Sequence, residues 1–282
     1  MRKRFPRRIR QTAAVLACAA CLAHAQAFDA ASVKPTAGGR PDPTGGPGTQ
    51  DPGRIHYPNL SLQYLLQIAY EVPSFQLSGP DWLDAERFDV DAVLPAETTA
   101  PQFHVMLQNL LVDRFRLKLH RENHQLSGYA LLAQPGAMKL KESVEDLGPG
   151  DSAPLPLQPG KDGFFVPPRR PGVFLQLAGM TAARETFRQT TMRELAESVQ
   201  GQILRPVTDA TGLSGKYDFT LTFATEGLFM GRGRLPVNPA TLENPPDLLH
   251  ALRSELGLRL EPRKIPVEIL VIDHAEKVPT RN

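Results

Sequence analysis

One order of apolar positions occurs twice in this 282-residue chain, and that repetition constrains the fold more than any single motif. Leu62, Leu65, Leu66 and Ala69 recur as Met192, Leu195, Ala196 and Val199 at a constant offset of 130. Arg87-Phe88-Asp89-Val90 recurs as Lys216-Tyr217-Asp218-Phe219 at an offset of 129. Leu107, Leu111 and Phe115 recur as Leu248, Leu252 and Leu256 at 141, and Leu117-Lys118-Leu119 recurs as Leu258-Arg259-Leu260 at the same offset. Val267 to Ile272 takes the place of Tyr129 to Ala133. The offset changes only where loops fall, chiefly between Thr225 and Pro246, which is how repeated units diverge. The expectation is an α+β chain of two duplicated units, each a small, mainly antiparallel sheet with two helices packed on one face.

The periodicities fix the element types. Apolar residues three and four apart give helices beginning at Leu62 and Met192, capped by Asn59 or Ser61 and by Thr191. Phe103, Leu107, Leu111 and Phe115 line a further helix that runs into the alternating Arg116 to His120; a turn near Asn123 and a strand from Tyr129 to Ala133 close the unit. Between Pro206 and Phe223, a turn-rich run feeds a strand with Tyr217, Phe219, Leu221 and Phe223 on one face and Asp218, Thr220 and Thr222 on the other. Gly212 and Gly215 are expected to supply the turn's backbone angles. Trp82, Phe88 and Asp89 hold the matching place in the first copy. Phe28 to Pro35 reads as a short strand, and Thr36 to Gly53 as a flexible loop. The partition expected is 28–135 and 181–282 for the two repeats, with a Pro/Gly-rich linker or elaborated loop over 136–180.

Residues 1–27 read as an export signal: six basic residues, an apolar run from Ala13 to Ala23, then Ala23-His24-Ala25-Gln26-Ala27, with cleavage after Ala25 or Ala27. Both cysteines, Cys18 and Cys21, fall inside it, so the mature chain is expected to have no disulfide, no thiolate catalysis and no CxxC metal or redox site. The formal charge of +2 becomes about minus four, with 26 basic against 30 acidic residues, which removes the basis for a nucleic-acid-binding role. No later stretch approaches the length of a membrane span, so the expected address is periplasmic or extracellular.

Phe28-Asp29-Ala30-Ala31-Ser32-Val33-Lys34-Pro35, Asn59-Leu60-Ser61-Leu62 with Ala69-Tyr70, Pro206 to Phe219, and Pro266 to His274 together resemble the signature blocks of one family. It is a paralogue-rich family of exported proteins of unknown function, expanded in Acidobacteria such as Solibacter. Related domains are fused to antirepressor-type membrane metallopeptidases, but this chain has no HExxH. The resemblance implies no established activity and no catalytic residues. A fold-level similarity to the short amino-terminal domains of secretins and TonB-dependent receptors transfers no function.

The remaining constellations read as scaffold. His120 and His124 lie on a strand end and turn, where a spacing of four does not bring them together, and His56, His104, His250 and His274 show no ligand spacing. Gly212-Leu213-Ser214-Gly215 precedes a strand, whereas a nucleophile elbow follows one. Asp89 and Asp218 are explained by duplication, Asp209 by an Asx turn, and Asp273-His274 by a strand end. Tyr57, Tyr64, Tyr70 and Trp82 are expected in the core. No catalytic, cofactor or metal residue is assigned. The function expected is a non-enzymatic envelope module that binds a protein, a peptide or a cell-wall component; the alternative is an envelope-polymer hydrolase using an unrecognised Asp/His site.

Overall fold

The computed structural model describes residues 27–144, 147–148, 158, 160, 164–178, 182–225, 237–238 and 245–280. Cys18, Cys21 and the rest of the expected signal, apart from residue 27, lie outside them. The chain is a mixed α+β protein of two compact units, residues 1–122 with 269–282 and residues 123–268.

The first unit contains β1 (Ala30–Pro35), β2 (Thr44–Gly45), β3 (Arg54–Ser61), α1 (Leu62–Tyr70), β4 (Leu77–Ser78), α2 (Trp82–Ala85), β5 (Arg87–Val93), α3 (Ala100–Phe115) and the start of β6 (Lys118–Ala133). Four of these strands form an antiparallel sheet in the order β1-β5-β3-β2. Alternation decides its faces: Val33, Ile55, Tyr57, Phe88, Val90 and Ala92 are buried on one, and Arg54, His56 and Asp91 are exposed on the other. Ser61 caps α1 by accepting the Tyr64 N–H at 3.1 Å, and Leu62, Leu65, Leu66 and Ala69 put their whole stripe into the core. Glu71, in the left-handed conformation at φ 53°, ends the helix two residues before Pro73. Thr99 and Gln102 form a capping box at the start of α3, which buries Phe103, Met106, Leu107, Leu110, Leu111 and Phe115. Phe88 and Phe115 meet edge to face at 4.8 Å in this core, where burying such rings contributes about 1.5–3 kcal/mol each.

The second unit holds the end of β6, then β7 (Gly172–Ala178), β8 (Ala182–Thr190), α4 (Met192–Ile203), β9 (Val207–Asp209), β10 (Tyr217–Ala224), β11 (Val237–Asn238), α5 (Leu248–Ala251) continued by a π turn to Leu256, and most of β12 (Leu258–His274). Its sheet has the order β10-β8-β7-β11. Thr191 and Glu194 cap α4, and Met192, Leu195, Ala196 and Val199 are buried against Phe187, Leu221 and Phe223.

The two sheets share one register. Ile55, His56 and Tyr57 face Ala92, Asp91 and Val90; Glu185, Thr186 and Phe187 face Leu221, Thr220 and Phe219. Both ladders then break at the same step, between Tyr57 and Leu60 and between Phe187 and Thr190. In each bulge the residue at positive φ, Asn59 at 55° and Gln189 at 49°, gives its N–H to an aspartate on the facing strand. The short parallel pairings also correspond: Leu77 and Ser78 face Leu270 and Val271, while Val207 and Thr208 face Tyr129 and Ala130. In both units the partner strand comes from the other half of the chain, because β6 and β12 each begin in one unit and end in the other.

Several expectations are corrected. There is no turn near Asn123: β6 runs unbroken for 16 residues, through Asn123 and Gly128, and β12 for 17, through Pro262 and Pro266, so local propensity is overridden by the pairing these strands make. Arg54–Ser61, which the sequence reading did not assign, is a central strand. The stretch taken as linker over 136–180 contains β7, which pairs with β8 along its whole length because Val173, Phe174, Leu175 and Leu177 give it strand character despite the prolines before it. The loop over Thr36 to Gly53 contains β2, and the last residues of β12 with the tail, 269–282, group with the first unit. Gly212 does adopt a positive φ of 75°, but Gly215 does not, so no turn angle requires a glycine there; a Cβ would stand 2.7 Å from Glu142 Oε1, the end of a flexible side chain.

Candidate functional site

The exposed face of the first sheet carries a groove of about 440 Å³. Its floor is a row of cross-strand neighbours that takes one residue from each of the four strands: Ser32 faces Asp91, Asp91 faces His56, and His56 faces Thr44. Such neighbours stand about 4.5–5.5 Å apart, so the row presents a continuous line of polar side chains. A second row, Ala30, Val93 and Arg54, lies beside it, and Ala31, Gly45, Asp51, Ile55 and Ala92 complete the lining.

Within the row, His56 Nδ1 lies 2.6 Å from Asp91 Oδ1. A carboxylate on Nδ1 fixes the ring's orientation and leaves Nε2 to meet a ligand. The Thr44 hydroxyl donates to the His56 carbonyl oxygen at 3.4 Å, so it is engaged with the backbone and not with the imidazole. Arg54 is exposed, and no side-chain partner of its guanidinium is found among the described residues.

The matching face of the second sheet is built differently. Thr186 and Thr220 stand where His56 and Asp91 do, and Arg184 stands where Arg54 does, facing Thr222 as Arg54 faces Val93. Here the chain covers part of its own sheet, at Arg184 and Gln176. The Arg184 guanidinium carbon sits 3.5 Å from the centroid of the buried Phe164 ring. The Gln176 side chain accepts the Phe165 N–H and donates to its carbonyl, both at 2.8 Å.

The residues singled out by sequence fall mainly into scaffold. Asp89 accepts the Asn59 N–H at 2.8 Å and Asp218 the Gln189 N–H at 2.7 Å, each within its own unit. Tyr217 and Phe88 are buried, and Phe219 stacks on Phe187 at 4.5 Å. Tyr57 is buried, while Tyr64, Tyr70 and Trp82 are partly buried against the same core, with Lys277 5.8 Å from the Trp82 ring. Asp209 forms its Asx turn with Thr211 at 2.9 Å. Asp273 bonds His120 at 2.9 Å instead of pairing with His274, and Glu122 takes the other ring nitrogen at 2.8 Å. These bonds, Glu122's first and Asp273's next, raise the His120 pKa above 6.5.

Sequence reasoning missed His56, Asp91 and Arg54, and it also missed a buried polar cluster. Glu185, 3% exposed, accepts from Ser198 at 2.8 Å and from Gln202 at 2.6 Å between β8 and α4. The first unit has Ile55 at the register of Glu185 and Ile68 at the offset of Ser198. The signal that could have found this cluster is a pair of polar residues, Glu185 and Ser198, at positions whose counterparts at a constant sequence offset of 130, Ile55 and Ile68, are apolar. Among the described residues, no group of three or more His, Cys, Asp or Glu could hold a metal ion, and no helix is long and apolar enough to cross a membrane.

A family model described as a protein of unknown function, DUF3738, matches residues 63–275, and the chain belongs to that family. Comparisons with curated proteins and with solved structures gave no match.

Proposed function

We propose that the protein is an exported, non-enzymatic binding module of the cell envelope, made of two copies of one α+β unit, with the open face of the first sheet as its binding surface. The observation that carries the reading is the groove whose floor is the Ser32, Asp91, His56, Thr44 row. Polar groups projecting in line from a rigid sheet, beside a cation with no partner among the described residues, suit recognition of an extended polar chain. Of a protein, a peptide or a cell-wall component, this groove favours a peptide segment. Export is supported by the leader's charge, apolar run and small residues. Duplication is supported by the common register, the common bulge and the paired aspartates.

The hydrolase reading draws on one observation, the Asp91-held His56. It is the weaker reading because the nearest hydroxyl on the row, that of Thr44, bonds a carbonyl, and both members of the pair are more than half exposed. The test is capture from an envelope fraction by the immobilised protein and by its Arg54→Ala/His56→Ala variant. A discrete species retained by the first and lost by the second is expected; identical recovery by both, or none by either, overturns the assignment of the groove.

A further inference from the structure

We infer that the groove of the first sheet takes an extended peptide segment that carries an aromatic side chain, with that ring stacked on Arg54. The inference rests on the groove being a binding surface and adds what the surface selects. In the second sheet the chain itself supplies the occupant. At the register shared by Arg54 and Arg184, the second sheet holds the Phe164 ring against a guanidinium at 3.5 Å and clamps the next peptide group, that of Phe165, through Gln176. Gln176 faces Arg184 across β7 and β8. Carried through the same register, its place in the first unit falls at Gly46, one residue beyond the Gly45 and Ile55 pair, and Gly46 has no side chain to clamp anything.

The clamp's chemistry has moved one row over. Where the second sheet has Phe174, Thr186 and Thr220, the first has Thr44, His56 and Asp91. A peptide amide beside the stacked ring would therefore meet the free Nε2 of a His56 held by Asp91, in place of a glutamine amide. The first sheet thus keeps the cation that stacks, lacks the residue that clamps from its own edge strand, and gains a polar row in reach of a ligand backbone. Guanidinium stacking on an aromatic face selects a ring over an aliphatic side chain of similar size, because only the ring carries the quadrupole.

The probe is acetyl-Gly-Phe-Phe-Val-Pro-amide, which copies residues 163–167 of this chain, against acetyl-Gly-Leu-Leu-Val-Pro-amide, both titrated into the isotope-labelled protein. Saturable shifts at Ser32, Thr44, Arg54, His56 and Asp91 are expected with the phenylalanine peptide. The leucine peptide, and the phenylalanine peptide on Arg54→Ala, should bind at least fivefold more weakly, and Arg54→Lys, which keeps the charge and loses the planar face, should be reduced as well. Arg54 is exposed, so these variants keep the fold, and an unchanged melting temperature checks that. Equal groove binding by both peptides overturns the aromatic selection and leaves the groove as a binding surface. Shifts confined to residues outside the groove, or none, overturn the inference outright, while the capture experiment judges the surface itself.

Discussion

Asp89 accepts the backbone N–H of Asn59 at 2.8 Å, across a bulge that would otherwise leave that donor unpaired at the end of a central strand. Asp218 and Gln189 repeat the arrangement at 2.7 Å. A residue at φ near 50° costs free energy and persists only where its surroundings hold it; in both bulges the aspartate supplies such a hold, joined at Asn59 by the side-chain amide's bond to the Gly39 carbonyl. These two carboxylates stand at matching sequence positions because the bulge that ends each strand needs them, which gives the pair a structural purpose in place of acid/base work.

Asp89→Ala and Asp218→Ala are each expected to destabilise the protein by about 1–2 kcal/mol in denaturant unfolding, toward the low end of the roughly 1.5–3 kcal/mol of a hydrogen bond to a charged group because neither bond is fully buried. With Gln189→Gly as background, the cost of Asp218→Ala should shrink, because glycine reaches that backbone angle unaided. Full additivity in this cycle would show that the carboxylate does not hold the bulge.

Glu185→Ala strands the buried Gln202 amide and leaves the half-buried Ser198 hydroxyl without this acceptor, at an expected cost of about 1–3 kcal/mol. Glu185→Ile with Ser198→Ile and Gln202→Leu removes the whole cluster, and its first two changes install the residues found at the matching places in the first unit. That triple variant should unfold at a denaturant concentration equal to or above that of the unaltered protein. A triple variant less stable than Glu185→Ala would show that the second core does not accept the first core's residues.

The first strand and helix were legible because their core positions repeat at two and at three to four residues, and the family blocks fall on those positions. The central strand β3 escaped because Pro58 and the bulge at Asn59 interrupt its alternation; its visible half was Arg54-Ile55-His56-Tyr57, with Ile55 and Tyr57 buried. The groove was not legible at all. Ser32, Thr44, His56 and Asp91 come from four strands, and only the register sets them in one row. A comparison of His56 and Asp91 with Thr186 and Thr220, at offsets of 130 and 129, would have marked them as positions where the two matched stretches differ.

His120 should titrate above 6.5, since Glu122 and Asp273 both hold its protonated form. A raised folded pKa means that its contribution to stability is complete below about pH 6.5 and fades as pH climbs through the folded value. Asp273→Asn should lower the midpoint read from the imidazole proton resonances. A midpoint that stays put would remove Asp273 from the pair.

The leader predicts that protein recovered from the envelope begins at Gln26 or Phe28, according to whether cleavage follows Ala25 or Ala27. Mass spectrometry of the amino-terminal peptide reads this directly, and an intact Met1 in that fraction would contradict the export reading.

The most direct test of the groove is photocrosslinking in intact cells with benzoylphenylalanine placed at Thr44, on the groove floor, and separately at the exposed Glu197 of α4. A discrete adduct from position 44 that disappears with Arg54→Ala, and that position 197 does not give, is the expected result. The same adduct from both positions, or none from position 44, would contradict the claim that the open face of the first sheet is where this protein binds.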